Sequence, residues 1–277
     1  MTNSTPTTLV LGATGKTGRR VVDRLQARGL PVRAGSRAGT PPFDWEDAAT
    51  WPAVVDGVGA AYLSYYPDLA VPGACATVIA FAEQAVAAGV GRLVLLSGRG
   101  EEEAEATEKL LQDLDVDWTI VRASWFAQNF SESYFAEGVV GGVVALPANS
   151  TPEPFVDADD IADVAVAALT EDGHRGRLYE VTGPRMLTFA EAVAEIATAT
   201  DREIAYLPLP VEEYAAAMVA EGLSQDEADL VTYLFTTVLD GRNAYVTDGV
   251  QRALGRAPRD FYDYAWDTAR TGVWDER

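Results

Sequence analysis

Gly12, Gly15 and Gly18 stand three residues apart directly behind the apolar run Thr8-Leu9-Val10-Leu11. A short apolar run that stops at glycine reads as a buried strand. Behind the glycines, Arg19 to Gly29 carries Val21, Val22, Leu25 and Ala27 roughly along one helical face, with Gly29 as a C-terminal stop. Pro31 to Gly35 then reads as a second strand. Strand, helix and strand within about thirty residues form a βαβ unit, and its strands must run parallel.

The alternation continues with a strand over 59–64, a helix over 75–89, a strand over 92–97, a helix over 101–114 and a strand over 118–122. This is the pattern of an α/β fold with a Rossmann-type, doubly wound parallel sheet. Beyond residue 130 the regularity fades. Helices are predicted over 162–170 and 188–198, a strand over 177–181, a short apolar stretch over 204–207 and a helical region over 211–236. The expected division is a dinucleotide-binding core over 1–130 and a smaller mixed α/β substrate lobe over 131–277, partly interleaved with the core. No repeat or low-complexity linker separates them.

Charge narrows the classes of partner. Asp and Glu number 42 against 21 Lys and Arg, a formal charge of −21. Binding to a phosphate backbone draws on Lys and Arg to release counterions, so nucleic acid is disfavoured, and an anionic membrane surface with it. Only Lys16 and Lys109 are lysines, which fits codon bias in a GC-rich bacterial genome. The first residues show no basic-then-apolar signal, and no apolar run approaches the roughly 20 residues that cross a bilayer. The expected location is the cytoplasm. One cysteine, Cys75, and one histidine, His174, supply neither a disulfide nor a thiolate or imidazole zinc set. Cys75 reads as a small buried residue and His174 as part of a surface turn. Asp157, Asp159 and Asp160 read as acids at a helix start and not as a metal site, so no metal is expected.

The glycine turn carries the cofactor chemistry. Gly12, Gly15 and Gly18 allow a tight bend, close approach to a pyrophosphate and packing of helix on strand, while the helix N-terminus presents N–H groups to the phosphates. Thr14 and Thr17 add hydroxyls and Lys16 a charge. At the end of the second strand, NAD-binding chains place an acid against the ribose 2′-hydroxyl. Here Ser36 and Arg37 stand there instead, a pair suited to a 2′-phosphate, so the expected cofactor is NADP(H).

Ligands of such sheets lie beyond the carboxyl ends of the strands. Those ends carry Tyr65 and Tyr66, then Ser97 and Arg99, then Trp125, Phe126 and Asn129, with Tyr134 and Phe155 from the later region. They are the candidate substrate-binding residues for a flat ring-bearing molecule, although each aromatic also suits plain core packing. Ser97 doubles as a cofactor contact, and Ser97 or Tyr65 is the candidate local hydrogen-bond donor. The acids Glu101, Glu102, Glu103 and Glu105 read as water-facing residues of a helix's first turn, with a general acid among them the weaker alternative.

These motifs resemble the NmrA-like branch of atypical short-chain dehydrogenases. The resemblance rests on Gly12 to Gly18, on Trp118 to Arg122 with Trp125-Phe126 and Asn129-Phe130, on Phe155-Val156-Asp157 with Asp160-Ile161-Ala162, and on Leu254 to Phe261. Phe43-Asp44-Trp45 and Tyr62-Leu63 look like the fungal ergot-alkaloid reductases, of the agroclavine dehydrogenase and festuclavine synthase type. Short-chain dehydrogenases usually carry a Tyr-x-x-x-Lys pair at the start of the helix after the corresponding strand. Residues 98–109 contain no Tyr, and Lys109 comes too late. The resemblance therefore implies an NADPH-dependent reductase that passes hydride to a flat, electron-poor iminium, quinone or activated alkene without that pair. The alternative is a non-catalytic NADP(H) sensor of the NmrA-like kind, acting through a protein partner. A small-molecule substrate and a monomeric or homodimeric chain complete the expectation.

Overall fold

The structure is a computed structural model describing residues 6–133 and 135–275. In chain order it runs β1 (Thr7–Leu11), α1 (Lys16–Ala27), β2 (Val32–Gly35), α2 (Trp51–Val55), β3 (Val58–Leu63), α3 (Ala74–Ala87), β4 (Arg92–Gly98), α4 (Glu102–Gln112) and β5 (Asp117–Ala123). There follow α5 (Asn129–Glu132), α6 (Phe135–Val140), β6 (Val143–Leu146), α7 (Ala158–Thr170), β7 (Arg177–Val181), α8 (Phe189–Thr200) and β8 (Ala205–Pro208). The chain closes with α9 (Val211–Ala220), α10 (Gln225–Tyr233), α11 (Gly249–Leu254) and α12 (Phe261–Ala269).

Two compact units share this order. The first comprises the chain up to Ala123, Ala158–Val181 and Asp248–Arg256. It holds one six-stranded sheet, ordered β2-β1-β3-β4-β5-β7, with every pair parallel. Strands buried on both faces carry runs of apolar residues, and Leu9, Leu11, Leu63, Leu93, Leu95 and Ile120 are fully buried. One helical layer contains α1, α7 and α11, and the other α2, α3 and α4, as the doubly wound reading requires.

The ends of α1 and α7 differ from expectation. Both begin earlier than their apolar periodicity, α1 at Lys16 and α7 at Ala158. Asp159 and Asp160 fill the first turn of α7, where acids complement the helix dipole. They also pair with cations of the same unit: Arg24 Nη2 lies 2.6 Å from Asp159 and Arg256 Nη1 2.6 Å from Asp160. Cys75 is half-exposed on α3, not buried. His174 sits in the predicted turn, but its side chain is buried, with Nδ1 2.9 Å from the Tyr179 hydroxyl.

The second unit comprises Ser124–Asp157, Thr182–Thr247 and Ala257 onward. Its strands β6 and β8 form a separate parallel pair; β6 escaped the sequence reading because four residues give too little alternation to register. The region over 211–236 is helical as expected, in two pieces, α9 and α10. Ser224 caps the second through a reciprocal bond with Glu227, which starts a new helix in the middle of helix-forming sequence. Phe130, Phe155, Phe189 and Phe261 stack edge to face in the core, and Trp274 donates from Nε1 to the Phe130 carbonyl at 2.7 Å. No helix among the described residues is long and apolar enough to cross a membrane.

Candidate cofactor and active site

The cofactor loop is built at the junction of β1, β2 and β3. Leu11 is in register with Gly35 at the end of β2, and the Ala13 N–H reaches the Gly35 carbonyl at 3.5 Å. Gly12 has φ +66, a conformation that glycine adopts freely. The Gly15 N–H donates to the Gly12 carbonyl at 2.9 Å, closing the turn. A β-carbon on Gly18 would overlap that same carbonyl oxygen, so α1 can start here only because position 18 is bare. Gly15 is the N-cap of α1, no side chain caps the helix and no acid occupies its first turn. Its positive end is thus left for an external anion.

The flanking side chains divide into two sets. Thr14 is exposed and Lys16 half-buried, both within the loop's reach. Thr17 turns inward, where its Oγ1 accepts from the Tyr62 hydroxyl at 3.0 Å, so it braces the turn. Ser36 is half-buried and Arg37 exposed, immediately past β2. A bare helix start, a close-packed glycine turn and a cation at the end of β2 fit a dinucleotide carrying a 2′-phosphate.

At the end of β4 the expected donors are already engaged. The buried Ser97 hydroxyl donates to Glu108 Oε1 at 2.6 Å. Both guanidinium faces of Arg122 from β5 also meet Glu108, with Nε at 2.9 Å from Oε1 and Nη2 on Oε2. Glu108 on α4 is buried, and a buried carboxylate needs this full set of partners. Ser97 therefore spends its proton inside the protein. Arg99 is buried as well, with Nε 2.6 Å from Glu180 Oε1 on β7. It was expected to meet substrate; its guanidinium instead joins β4 to β7.

Glu101 corrects a second expectation. Glu102 and Glu103 face solvent as first-turn acids should, but Glu101, the N-cap residue of α4, is 7% exposed. Its carboxyl lies where a β-carbon on Gly98 would be, so the bare strand end makes its room. Asp68, in the loop after β3, carries a second carboxylate whose charge acts on it. Burial first, then the neighbouring Asp68 and Glu108 carboxylates, hold the Glu101 carboxyl well above the ordinary range. Burial likewise raises Asp68. The sequence signal for this burial was Gly98, whose missing side chain leaves the space that the Glu101 carboxyl fills.

The aromatic candidates are spread across both units. Tyr65 is half-buried, its ring 5.1 Å from that of Trp45, and Tyr66 is 67% exposed. In the second unit Trp125 is half-buried, packed on Phe189 and Phe235 at ring distances of 5.2 and 4.9 Å. Phe126 and Asn129 are half-buried, Phe126 in a backbone bridge to Val156. Phe155 is 2% exposed and belongs to the aromatic core, which corrects its expected place in the pocket wall. Tyr134 lies outside the described residues. No cluster of His, Cys, Asp and Glu able to hold a metal occurs among the described residues.

Comparison with known proteins agrees with this geometry. No family model matches the chain. It is 32% identical to agroclavine dehydrogenase of Claviceps fusiformis, over 97% of this chain and 98% of that protein. Among solved structures, an NADPH-dependent quinone oxidoreductase from Escherichia coli, complexed with NADPH, superimposes with a TM-score of 0.76 at 22% identity, covering 93% of this chain and 98% of that one. The negative transcriptional regulator NmrA, in complex with NAD, gives 0.72 at 15% identity, covering 98% and 97%. Both structural likenesses speak to the fold. Near-complete coverage at 32% identity does more: the chain belongs to the NmrA-like family of atypical short-chain dehydrogenase/reductases, near the ergot-alkaloid reductases.

Proposed function

We propose that this protein is an NADPH-dependent reductase of flat, electron-poor small molecules, with an iminium, quinone or activated alkene as the acceptor. The chain is an NAD(P)-dependent oxidoreductase, and one observation carries the choice of cofactor. The uncapped, acid-free start of α1 stands beside a β2 end that offers Ser36 and Arg37 and no acid.

Gly12 to Gly18 would hold the pyrophosphate, and Ser36 with Arg37 the 2′-phosphate. Bound there, the reduced nicotinamide supplies a hydride. The chain's part is to hold two flat rings in register and to exclude water. Tyr65 and Tyr66 of the first unit are assigned to ring binding, and Trp125, Phe126 and Asn129 of the second unit to substrate recognition. The first turn of α4 presents Glu102, Glu103 and Glu105 and no tyrosine, which supports chemistry that needs no tyrosyl acid. A net charge of −21 suits attraction of a cationic acceptor over distance.

The test is consumption of NADPH by the purified protein with a panel of quinones, cyclic iminium salts and enones. Loss of NADPH absorbance with a member of the panel is expected. Tight NADPH binding with no acceptor consumed would overturn the reading in favour of a cofactor-sensing regulator.

A further inference from the structure

β7 is the outermost strand of the six-stranded sheet, four places from β1. Every strand runs parallel, so the amino end of β7 lies on the edge opposite the carboxyl ends, where the glycine turn leaves β1. Four inter-strand spacings amount to roughly 19 Å. At that far corner Gly173, Arg177, Tyr179 and Arg252 line a cavity of about 260 Å³. All four belong to the first unit. Arg177 and Tyr179 stand two apart on β7 and so share one face of the strand. Arg252, in the last turn of α11, reaches the same face.

The acids of the turn before β7 are already taken. Glu171 lies 3.5 Å from Arg28 and Asp172 3.6 Å from Arg92. Arg175 is held 3.0 Å from Asp117. Arg177 has no such partner: among the described residues no carboxylate or carbonyl bonds its guanidinium. That is unusual in a chain whose acids outnumber its bases two to one. Arg252 lies 5.6 Å from the centre of the Tyr179 ring, and its one acid, Asp248, is 3.8 Å away. Both members of that pair face water, where such a contact contributes little. Tyr179 is buried behind them, with its hydroxyl 2.9 Å from His174 Nδ1, which fixes its ring as the cavity wall. Two guanidinium groups thus share one hollow, and no carboxylate lines it.

We propose that this cavity is a second ligand site, which binds a phosphate dianion, free or carried by a small organic molecule. It is separate from the reductase reading and does not depend on it. A phosphate monoester carries close to two negative charges at neutral pH. Two guanidinium groups match that charge, and their paired N–H donors match its oxygens. A carboxylate brings one charge only. Size narrows the ligand further. Drug-sized molecules fill pockets of roughly 300–1,000 Å³, so this smaller hollow takes a phosphate with a short organic tail and not a dinucleotide.

The chain's one histidine makes the test local, because its ring centre lies 5.6 Å from that of Tyr179. The His174 ring protons of the full chain are followed by NMR at a fixed pH of about 8, where the imidazole is neutral, as sodium phosphate is added at constant ionic strength. Their resonances should shift and saturate within about 10 mM phosphate. Phosphate held at the glycine turn lies four strands away, too far to move them. Arg177→Gln should weaken the affinity about tenfold or more and leave NADPH affinity unchanged, and Arg252→Gln should do the same. Tighter binding of glycerol phosphate than of inorganic phosphate assigns the site to an organic phosphate, and the reverse assigns it to the free ion. The wild-type titration decides the matter even if neither variant folds: no shift, a shift that never saturates, or one that chloride or acetate reproduces overturns the proposal. So does an Arg177→Gln protein that binds phosphate as tightly as the wild type.

Discussion

Tyr62 gives its hydroxyl proton to Thr17 Oγ1 at 3.0 Å and so ties the carboxyl end of β3 to the first turn of α1. Both residues are buried. Burial drives the phenol's ionisation upward, which keeps the proton in that bond throughout the neutral range. Tyr62→Phe removes the donor and leaves the ring. The expected loss is about 1 kcal/mol, the net worth of one such bond, read as a lower urea midpoint with an unchanged slope. NADPH affinity should change less than in the Arg37 variant below, because the glycine turn keeps its own Gly15-to-Gly12 bond.

Arg37 tests the choice of dinucleotide. It stands exposed just past β2, beside the glycine turn, with Ser36 as its neighbour. A guanidinium bonded to a phosphate contributes about 2 kcal/mol. Arg37→Ala should weaken NADP binding roughly thirtyfold and leave NAD binding nearly untouched, as read by calorimetry. An equal loss for both would remove the 2′-phosphate from this residue.

His174 gives a pH dependence with a definite sign. Burial, with help from Arg92 and Arg177 and against the pull of Glu171, lowers its pKa from the ordinary 6.5. The folded protein thus binds this proton less readily than the unfolded chain does. The stability tied to the neutral ring is fully present above 6.5 and declines as the pH drops below it, until the folded imidazole itself titrates. As the chain has one histidine, its ring proton resonance is unambiguous. Its NMR titration midpoint should fall below 6.5, and His174→Asn should remove this part of the acid loss. A midpoint at or above that value contradicts the buried Tyr179 contact.

The repeating βα pattern made the sheet legible, since each strand of the first half ends at a turn residue and each helix begins with a change of period. Gly12, Gly15 and Gly18 were legible for the same reason: a bare position has few explanations when a strand precedes it and a helix follows. What the pattern could not reveal was commitment. Ser97 and Arg99 stand where a substrate contact was expected, yet Glu108 and Glu180, ten or more positions away, have taken their polar atoms. Phe155 differs from Trp125 only in how many rings surround it, which is a property of packing and not of residue type. Glu101 resembled its neighbours Glu102 and Glu103 in every local respect. Its carboxyl fills the space that a side chain on Gly98 would take, a fit that no periodicity encodes.

The three-segment origin of the first unit has a consequence for how such a chain can be divided. Cutting it near residue 130 would strip the sheet of β7 and one helical layer of α7 and α11, leaving β5 as a raw margin of unmatched amides and carbonyls. A fragment of that kind would sooner clump with its copies than grip a nucleotide. Exchanging the second unit by simple end-to-end fusion would break the first, because the segments of the two alternate along the chain.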